Sequence, residues 1–232
     1  MNQSFAQRCG ATVVIAVAML TAMAAADVLG GSAAARDFEP IGGELRKRLP
    51  RWVPGKVGTA IQLDGVGDNV NCGHANGIAA QKALTVAFWV YANEWTHTAQ
   101  MIARGGALEI RKRLLAGGGV YFWIYLDRRR LNAIWDKENF MNLPAREWHH
   151  IAFTYDADTG AARSYLNGQP HSSRNLREEY PDLKTYAMPA SRSDLVFGSP
   201  GRGLNGKLDE VYFYSRALSP EEVGRASCRE RV

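Results

Sequence analysis

Three aromatic side chains on alternate positions, Tyr121, Trp123 and Tyr125, are the residues best suited by type and spacing to hold a ligand. They interleave with Val120, Phe122, Ile124 and Leu126 in one apolar run, so in a strand the two sets face opposite ways. A sandwich strand has a single core side. The amphipathic Tyr/Trp row is therefore expected to look outward, as a surface on which a sugar ring stacks unless loops cover it. Two basic runs flank the same region, Arg111-Lys112-Arg113 and Arg128-Arg129-Arg130. They carry the sign of charge that attracts acidic glycans, although such runs also occur simply as solvated faces.

Other chemistry-bearing residues lead less far. Asp156-Ala157-Asp158-Thr159-Gly160 superficially resembles a calcium loop, but Asn167 stands where the closing carboxylate belongs, so a hairpin turn is expected. Gly201-Arg202-Gly203-Leu204-Asn205-Gly206 matches the dinucleotide fingerprint letter for letter. The strand-like Leu208–Tyr214 follows it, with no helix N-terminus to receive a pyrophosphate, and a flexible loop is expected there. His149 and His150 are adjacent and would face opposite sides of a strand, where they cannot share a metal without a bulge. No Gly-x-Ser-x-Gly nucleophile elbow is present.

The elements that must position these residues are strands. Ala60–Asp64 alternates, Leu84–Ala92 is β-branched and aromatic, and Leu108–Ile110, Val120–Leu126, Leu131–Trp135 and Trp148–Tyr155 continue the period of two. Ala161–Leu166 runs into Asn167-Gly168, a strong hairpin signal, and Leu195–Gly198 and Leu208–Tyr214 close the series. About ten short strands with turn chemistry between them predict an all-β fold, an antiparallel two-sheet jelly-roll sandwich. The one helix start is Ser219-Pro220-Glu221-Glu222, which has the residues of a capping box. Residues 169–193 read as a long polar connection holding Tyr180 and Tyr186, of the kind that is commonly functional or disordered.

The ends of the 232-residue chain read differently from its middle. Residues 1–26 have the form of a secretory signal peptide: Arg8, an uncharged apolar run from Cys9 to Ala26, and small residues at Ala22, Ala24 and Ala26. The run is short and alanine-rich for a membrane span. Residues 27–50 read as a linker or an edge strand. Gly224–Val232 resembles the in-frame translation of a short-read sequencing adapter and is expected to be an artefact rather than a basic tail. Whether the natural chain continues beyond residue 223 stays open on that view.

These assignments reduce the charge. Setting aside four arginines and one glutamate in the two end segments lowers the formal net charge from +5 to about +2, which gives no argument for nucleic acid. Of the three cysteines only Cys72 lies in the folded part, so no internal disulfide is expected. The fraction of apolar residues, 46%, supports a sizeable core and excludes a disordered chain.

Five motifs occur in order. They are Pro54–Gly65, Leu84–Tyr91, Glu147–Phe153, Tyr165–Gly168, and Gly206–Tyr214 followed by Ser215-Arg216-Ala217-Leu218-Ser219. In this order they resemble a laminin G-like, concanavalin A-like lectin/glucanase jelly-roll domain, here spanning 51–223. The resemblance implies a structural calcium ion (Ca2+) near the pairing of the first and last strands, with Asp64, Asp68, Asn69 and Asp209 at the matching positions. The same residues also suit tight turns. Glycosidases on this fold carry Glu-x-Asp-x-x-Glu on one strand, and no glutamate in this chain has an aspartate two positions on.

The expectation is a secreted, periplasmic or cell-surface binding module without catalytic residues. Its partner would be a glycan or an extracellular protein ligand, with no nucleic acid and no membrane association after signal cleavage. The alternative from another class is an adhesive protein–protein module of a larger exported chain. A polysaccharide hydrolase or lyase is the third reading.

Overall fold

The structure, a computed structural model, describes residues 51–74, 81–95, 98–113, 119–134 and 141–228. The expected signal peptide (1–26), the linker (27–50), Trp135 and residues 229–232 lie outside the described residues.

Two antiparallel sheets stack face to face. The seven-stranded sheet runs β1 (Arg51–Pro54), β2 (Thr59–Asp64), β13 (Asn205–Tyr214), β4 (Ala83–Ala92), β9 (Trp148–Asp156), β10 (Ala161–Leu166) and β11 (Gln169–Asn175). The six-stranded sheet runs β3 (Asn69–Asn71), β12 (Leu195–Gly198), β5 (Thr98–Arg104), β6 (Leu108–Arg113), β7 (Gly119–Leu126) and β8 (Arg129–Ile134). The expected sandwich is present, and its closing strand β13 returns to pair with β2. Leu208 of β13 lies opposite Ile61 of β2, and the other edge of β13 pairs with β4.

Strand alternation sets the core. Val86, Phe88 and Val90 of β4, Ile151 and Phe153 of β9, and Phe122 and Ile124 of β7 point inward and are fully buried. The Phe122 and Phe153 rings stack across the gap between the sheets at 5.0 Å. Burying rings of this size is the main favourable term for a domain without disulfides.

The polar stretch after Asn167 departs from expectation. Asn167 and Gly168 both take positive φ, 50° and 79°, as a two-residue type I′ turn requires, and the chain then folds back as β11. β11 escaped the periodicity because it is an edge strand with no apolar side, and Pro170 is tolerated there for the same reason. A short helix α1 (Leu176–Glu179) follows, and the remainder is a packed strap. The Tyr155 hydroxyl donates to the Tyr186 carbonyl at 2.6 Å, and the Tyr186 hydroxyl donates to the Tyr180 carbonyl at 2.6 Å. Leu183 and Met188 from the strap are buried in the main core.

The expected capping box opens helix α2 (Pro220–Ser227), with Ser219 and Glu222 bonding each other's backbone amides. The helix continues through Ser227, the fourth residue of the segment expected to be an artefact, and lies against the β10–β11 turn. A Cβ on Gly168 would come within 2.2 Å of Ser227 Oγ, a second reason for glycine at that turn. Among the described residues, no helix is long and apolar enough to cross a membrane.

Candidate functional site

The outer face of the six-stranded sheet is built by cross-strand neighbours. On β6, Leu108, Ile110 and Lys112 turn inward while Glu109, Arg111 and Arg113 turn outward. The basic run Arg111-Lys112-Arg113 is therefore split, and the buried Lys112 ammonium sits 5.3 Å from the Trp95 ring centre. In register, Trp123 of β7 faces Glu109 and Asn132, Tyr121 faces Arg111, and Tyr125 faces Arg130. The second basic run divides as well. Arg128 takes positive φ (61°) in the β7–β8 turn, Arg129 pairs with Asp182 at 2.6 Å, and Arg130 reaches the outer face.

These residues enclose an open groove of about 440 Å³. Its lining is Thr98, Tyr121, Trp123 and Asn132 with four arginines, Arg111, Arg113, Arg130 and Arg202. Tyr121 and Trp123, two of the three expected ligand residues, stack on each other at 5.0 Å and 14°. Tyr125 lies on the same row, half-buried and outside the lining. The expected open platform is absent: Tyr121 is only 4% exposed and Trp123 8%. Among the described residues, arginine side chains lie over the two rings. The Arg130 guanidinium stands 4.4 Å from the Trp123 ring centre, Arg111 5.5 Å from the same ring, and Arg113 5.9 Å from Tyr121. Guanidinium planes stack on aromatic faces more readily than a compact ammonium does, and here they form the outer layer over the two rings.

Glu109 ties part of this layer together, pairing with Arg111 and, at 2.7 Å, with Arg130. Arg111 also donates to Gln100 Oε1 at 3.1 Å, yet its Nε is buried with no partner among the described residues, as is Asn132 Oδ1. Burial pushes the Arg111 pKa down from its ordinary value, and repulsion from Arg130, Arg113 and Arg202 adds to the same shift.

Arg202, which spacing along β7 could not reveal, comes from the glycine-rich stretch expected to be a flexible loop. That stretch is pinned to β5: Gln100 N donates to the Arg202 carbonyl at 2.8 Å, and Gly203 forms a parallel bridge with Gln100. Glu109 and Asn132 were also missed. The only sequence signal for Glu109 was its alternation with Arg111 and Arg113.

The four residues proposed for calcium fall in two places. Asp64, Asp68 and Asn69 share the β2–β3 corner, where Asp64 Oδ1 accepts from the amides of Val66, Gly67 and Asp68, and Asp68 Oδ2 accepts from the Asp64 amide. Asp209 sits four residues along β13 from the partner of Asp64, roughly 13 Å away at strand rise. Its carboxylate accepts from the Val57 and Glu210 amides, while burial raises its pKa. Among the described residues, no three His, Cys, Asp or Glu side chains converge as a metal-holding group. As placed, these four residues do not form one calcium-sized set of oxygen donors.

The outer face of the seven-stranded sheet carries a second aromatic set. Trp89, Tyr91 and Trp148 are half-buried, with Lys56 Nζ 5.2 Å from the Trp89 ring centre and Lys207 Nζ 4.9 Å from that of Tyr91. Helix α2 and the segment leading into it cover another part of this face, burying Leu218 and Val223 against Ala87, Ala152 and Tyr165. His150 faces outward against Trp89 at 5.3 Å, whereas His149, on the opposite side of β9, donates to the Pro144 carbonyl at 3.0 Å. The histidine pair is thus divided, as alternation requires.

A family model described as the concanavalin A-like lectin/glucanases superfamily matches residues 64–224, well over half of the chain. No curated protein matches the sequence. Among solved structures, domain 4 of AbnA, an extracellular GH43 arabinanase from Geobacillus stearothermophilus solved in complex with arabinotriose, is 21% identical. That match covers 80% of this chain and 82% of that one, with a TM-score of 0.57. The binding domain of Paraclostridial Mosquitocidal Protein 1 is 16% identical over 77% of this chain and 45% of that one, TM-score 0.57. The botulinum neurotoxin type G receptor binding domain is 15% identical over 77% and 44%, TM-score 0.53. The chain spans less than half of these two toxin structures, and at such identities the likeness is one of fold.

Proposed function

The chain belongs to the concanavalin A-like lectin/glucanase superfamily, and on that footing we propose that it is a secreted, non-catalytic module that binds a glycan or other cell-surface group in the groove on its six-stranded sheet. The observation that carries this reading is the groove itself, about 440 Å³ with a stacked Tyr121–Trp123 pair beneath a rim of hydrogen-bond donors. That volume lies in the range of small-ligand sites. The arabinotriose complex of AbnA domain 4 and the binding roles named for the two toxin domains support a ligand-holding use of the fold.

A binding role suits the chemistry better than hydrolysis. Glycoside hydrolysis uses two carboxylates flanking one bond. Among the described residues, the groove lining includes none, and Glu109 beside it is held by Arg111 and Arg130. Secretion rests on the apolar Cys9–Ala26 run.

A second reading, an adhesive protein-binding module, is favoured by one observation: the half-buried Trp89, Tyr91 and Trp148 on the opposite outer face. A glycan array separates the two. The wild-type chain is expected to bind glycans, with the signal lost in Trp123→Ala and retained in Trp148→Ala. Absence of any glycan signal, with cell-surface binding abolished by Trp148→Ala, would establish the second reading instead.

A further inference from the structure

We infer that the groove selects an anionic saccharide, whose carboxylate or sulfate lies between Arg113 and Arg202 while a hydroxyl of the same sugar donates to Asn132 Oδ1. The inference rests on the groove being the ligand site and adds the class of ligand.

Charge is the first support. Four guanidiniums line the groove, and among the described residues Glu109 is the carboxylate that engages them. It is committed to Arg111 and Arg130. Arg113 and Arg202 have no carboxylate partner among the described residues, and Arg202 is exposed. Guanidinium forks match planar or tetrahedral oxyanions with two parallel hydrogen bonds, so the two uncommitted arginines are the natural anion receptors.

Unmet polar atoms are the second. Asn132 Oδ1 and Arg111 Nε are both buried and without a partner among the described residues, and both belong to residues of the groove lining. A buried polar group without a partner costs about 1–3 kcal/mol, a cost that a bound ligand can remove. The two atoms ask for different partners, since Nε–H donates and Oδ1 accepts. A fully deprotonated inorganic anion such as sulfate satisfies only the first, because it has no proton to give Asn132. An acidic sugar satisfies both, through its anionic group and its hydroxyls.

The shape of the aromatic layer is the third. With Trp123 only 8% exposed beneath Arg130 and Arg111, a neutral sugar finds little ring face on which to stack. The tyrosine and tryptophan act here as a floor that orients guanidiniums. A concave site of this size also fits a sugar unit better than the broad surface of a folded protein.

The test is calorimetric titration of the full chain with three matched probes: an oligogalacturonate (carboxylated), a sulfated oligosaccharide, and a neutral tetrasaccharide of the same length. At least one anionic probe is expected to bind, at least tenfold more tightly than the neutral one, and less tightly as salt rises. Arg113→Gln and Arg202→Gln should each weaken it by about tenfold at unchanged Tm. Lys56→Gln, on the far face, should leave it unchanged. Which anionic probe binds distinguishes carboxylate from sulfate. Equal affinity for the neutral probe would overturn the anionic assignment while leaving the glycan-binding reading intact. Loss of binding in Lys56→Gln but not in Arg202→Gln would overturn the site. Binding to none of the three probes would overturn the inference, and an added absence of signal on the glycan array would take the proposed function with it. Arg202→Gln lies on an exposed loop, so the comparison survives even if a β6 variant fails to fold.

Discussion

On the seven-stranded sheet, Trp89 and Tyr91 stand beneath two lysines with Trp148 beside them, and helix α2 and the segment leading into it bury Leu218 and Val223 against another part of the face. On the six-stranded sheet, Tyr121 and Trp123 lie beneath arginines that are held in place by Glu109, and no helix among the described residues covers them. Both faces begin from the same cause, apolar residues on the outward as well as the inward side of central strands. They differ in what lies on top. Apolar cover on the first adds to the core and serves stability. Charged cover on the second adds little to stability, since partly exposed ion pairs contribute about 0–1 kcal/mol, but it presents oriented donors to solvent. Substitutions should therefore divide cleanly, with the first face governing unfolding and the second governing binding.

The largest expected effect is on the helix-covered face. Leu218→Ala should lower stability by about 2–5 kcal/mol in denaturant titrations, because the side chain is buried in the α2 cluster, with binding by the folded fraction unchanged. A comparable loss from Arg130→Ala would break the contrast between the faces.

Acid comes next. Burial holds the His150 imidazole at about 4, whereas in the unfolded chain it titrates near about 6.5. The unfolded state takes up the proton first, so the contribution of His150 is intact above about pH 6.5 and is lost as pH falls towards 4. The whole loss is roughly 3 kcal/mol. Tm measured from pH 7 to pH 4 should fall less steeply in His150→Phe than in the wild type, and parallel profiles would exclude this histidine as the cause.

A smaller effect is expected at the helix start. Ser219→Ala removes one half of the capping box and should cost about 1 kcal/mol in chemical denaturation, again without altering ligand affinity. The smallest is at the β2–β3 corner, where EDTA should leave Tm unchanged because backbone amides already engage Asp64 and Asp68. A rise of several degrees on adding calcium would place an ion at Asp64, Asp68 and Asn69 and show the corner to be a metal site.

How much of this was legible in the sequence follows from the range of the signals involved. Period-two alternation marked β6 because it has one buried side, whereas β4, β7 and β9, buried on both sides, stood out as β-branched and aromatic runs. Asn167-Gly168 marked its turn because few residues accept two positive φ angles. β11 has no buried side and so gave no period. Tyr121 and Trp123 were correctly placed on the outward row, but their cover was not visible. It depends on diagonal neighbours on β6 and β8 and on Arg202, which is 79 positions from Trp123 in the chain and brought close by the pinned glycine loop. Asp209 matched a motif, yet register alone decides that it faces Trp89 and serves the Val57 amide instead of joining Asp64.

The contrast between the two faces is tested most directly by fluorine NMR of protein labelled with 5-fluorotryptophan, titrated with the anionic oligosaccharide that binds in calorimetry. The Trp123 resonance is expected to shift with ligand concentration while those of Trp89 and Trp148 stay fixed. Shifts at Trp89 and Trp148 with Trp123 unmoved would put the ligand on the seven-stranded sheet and contradict the account.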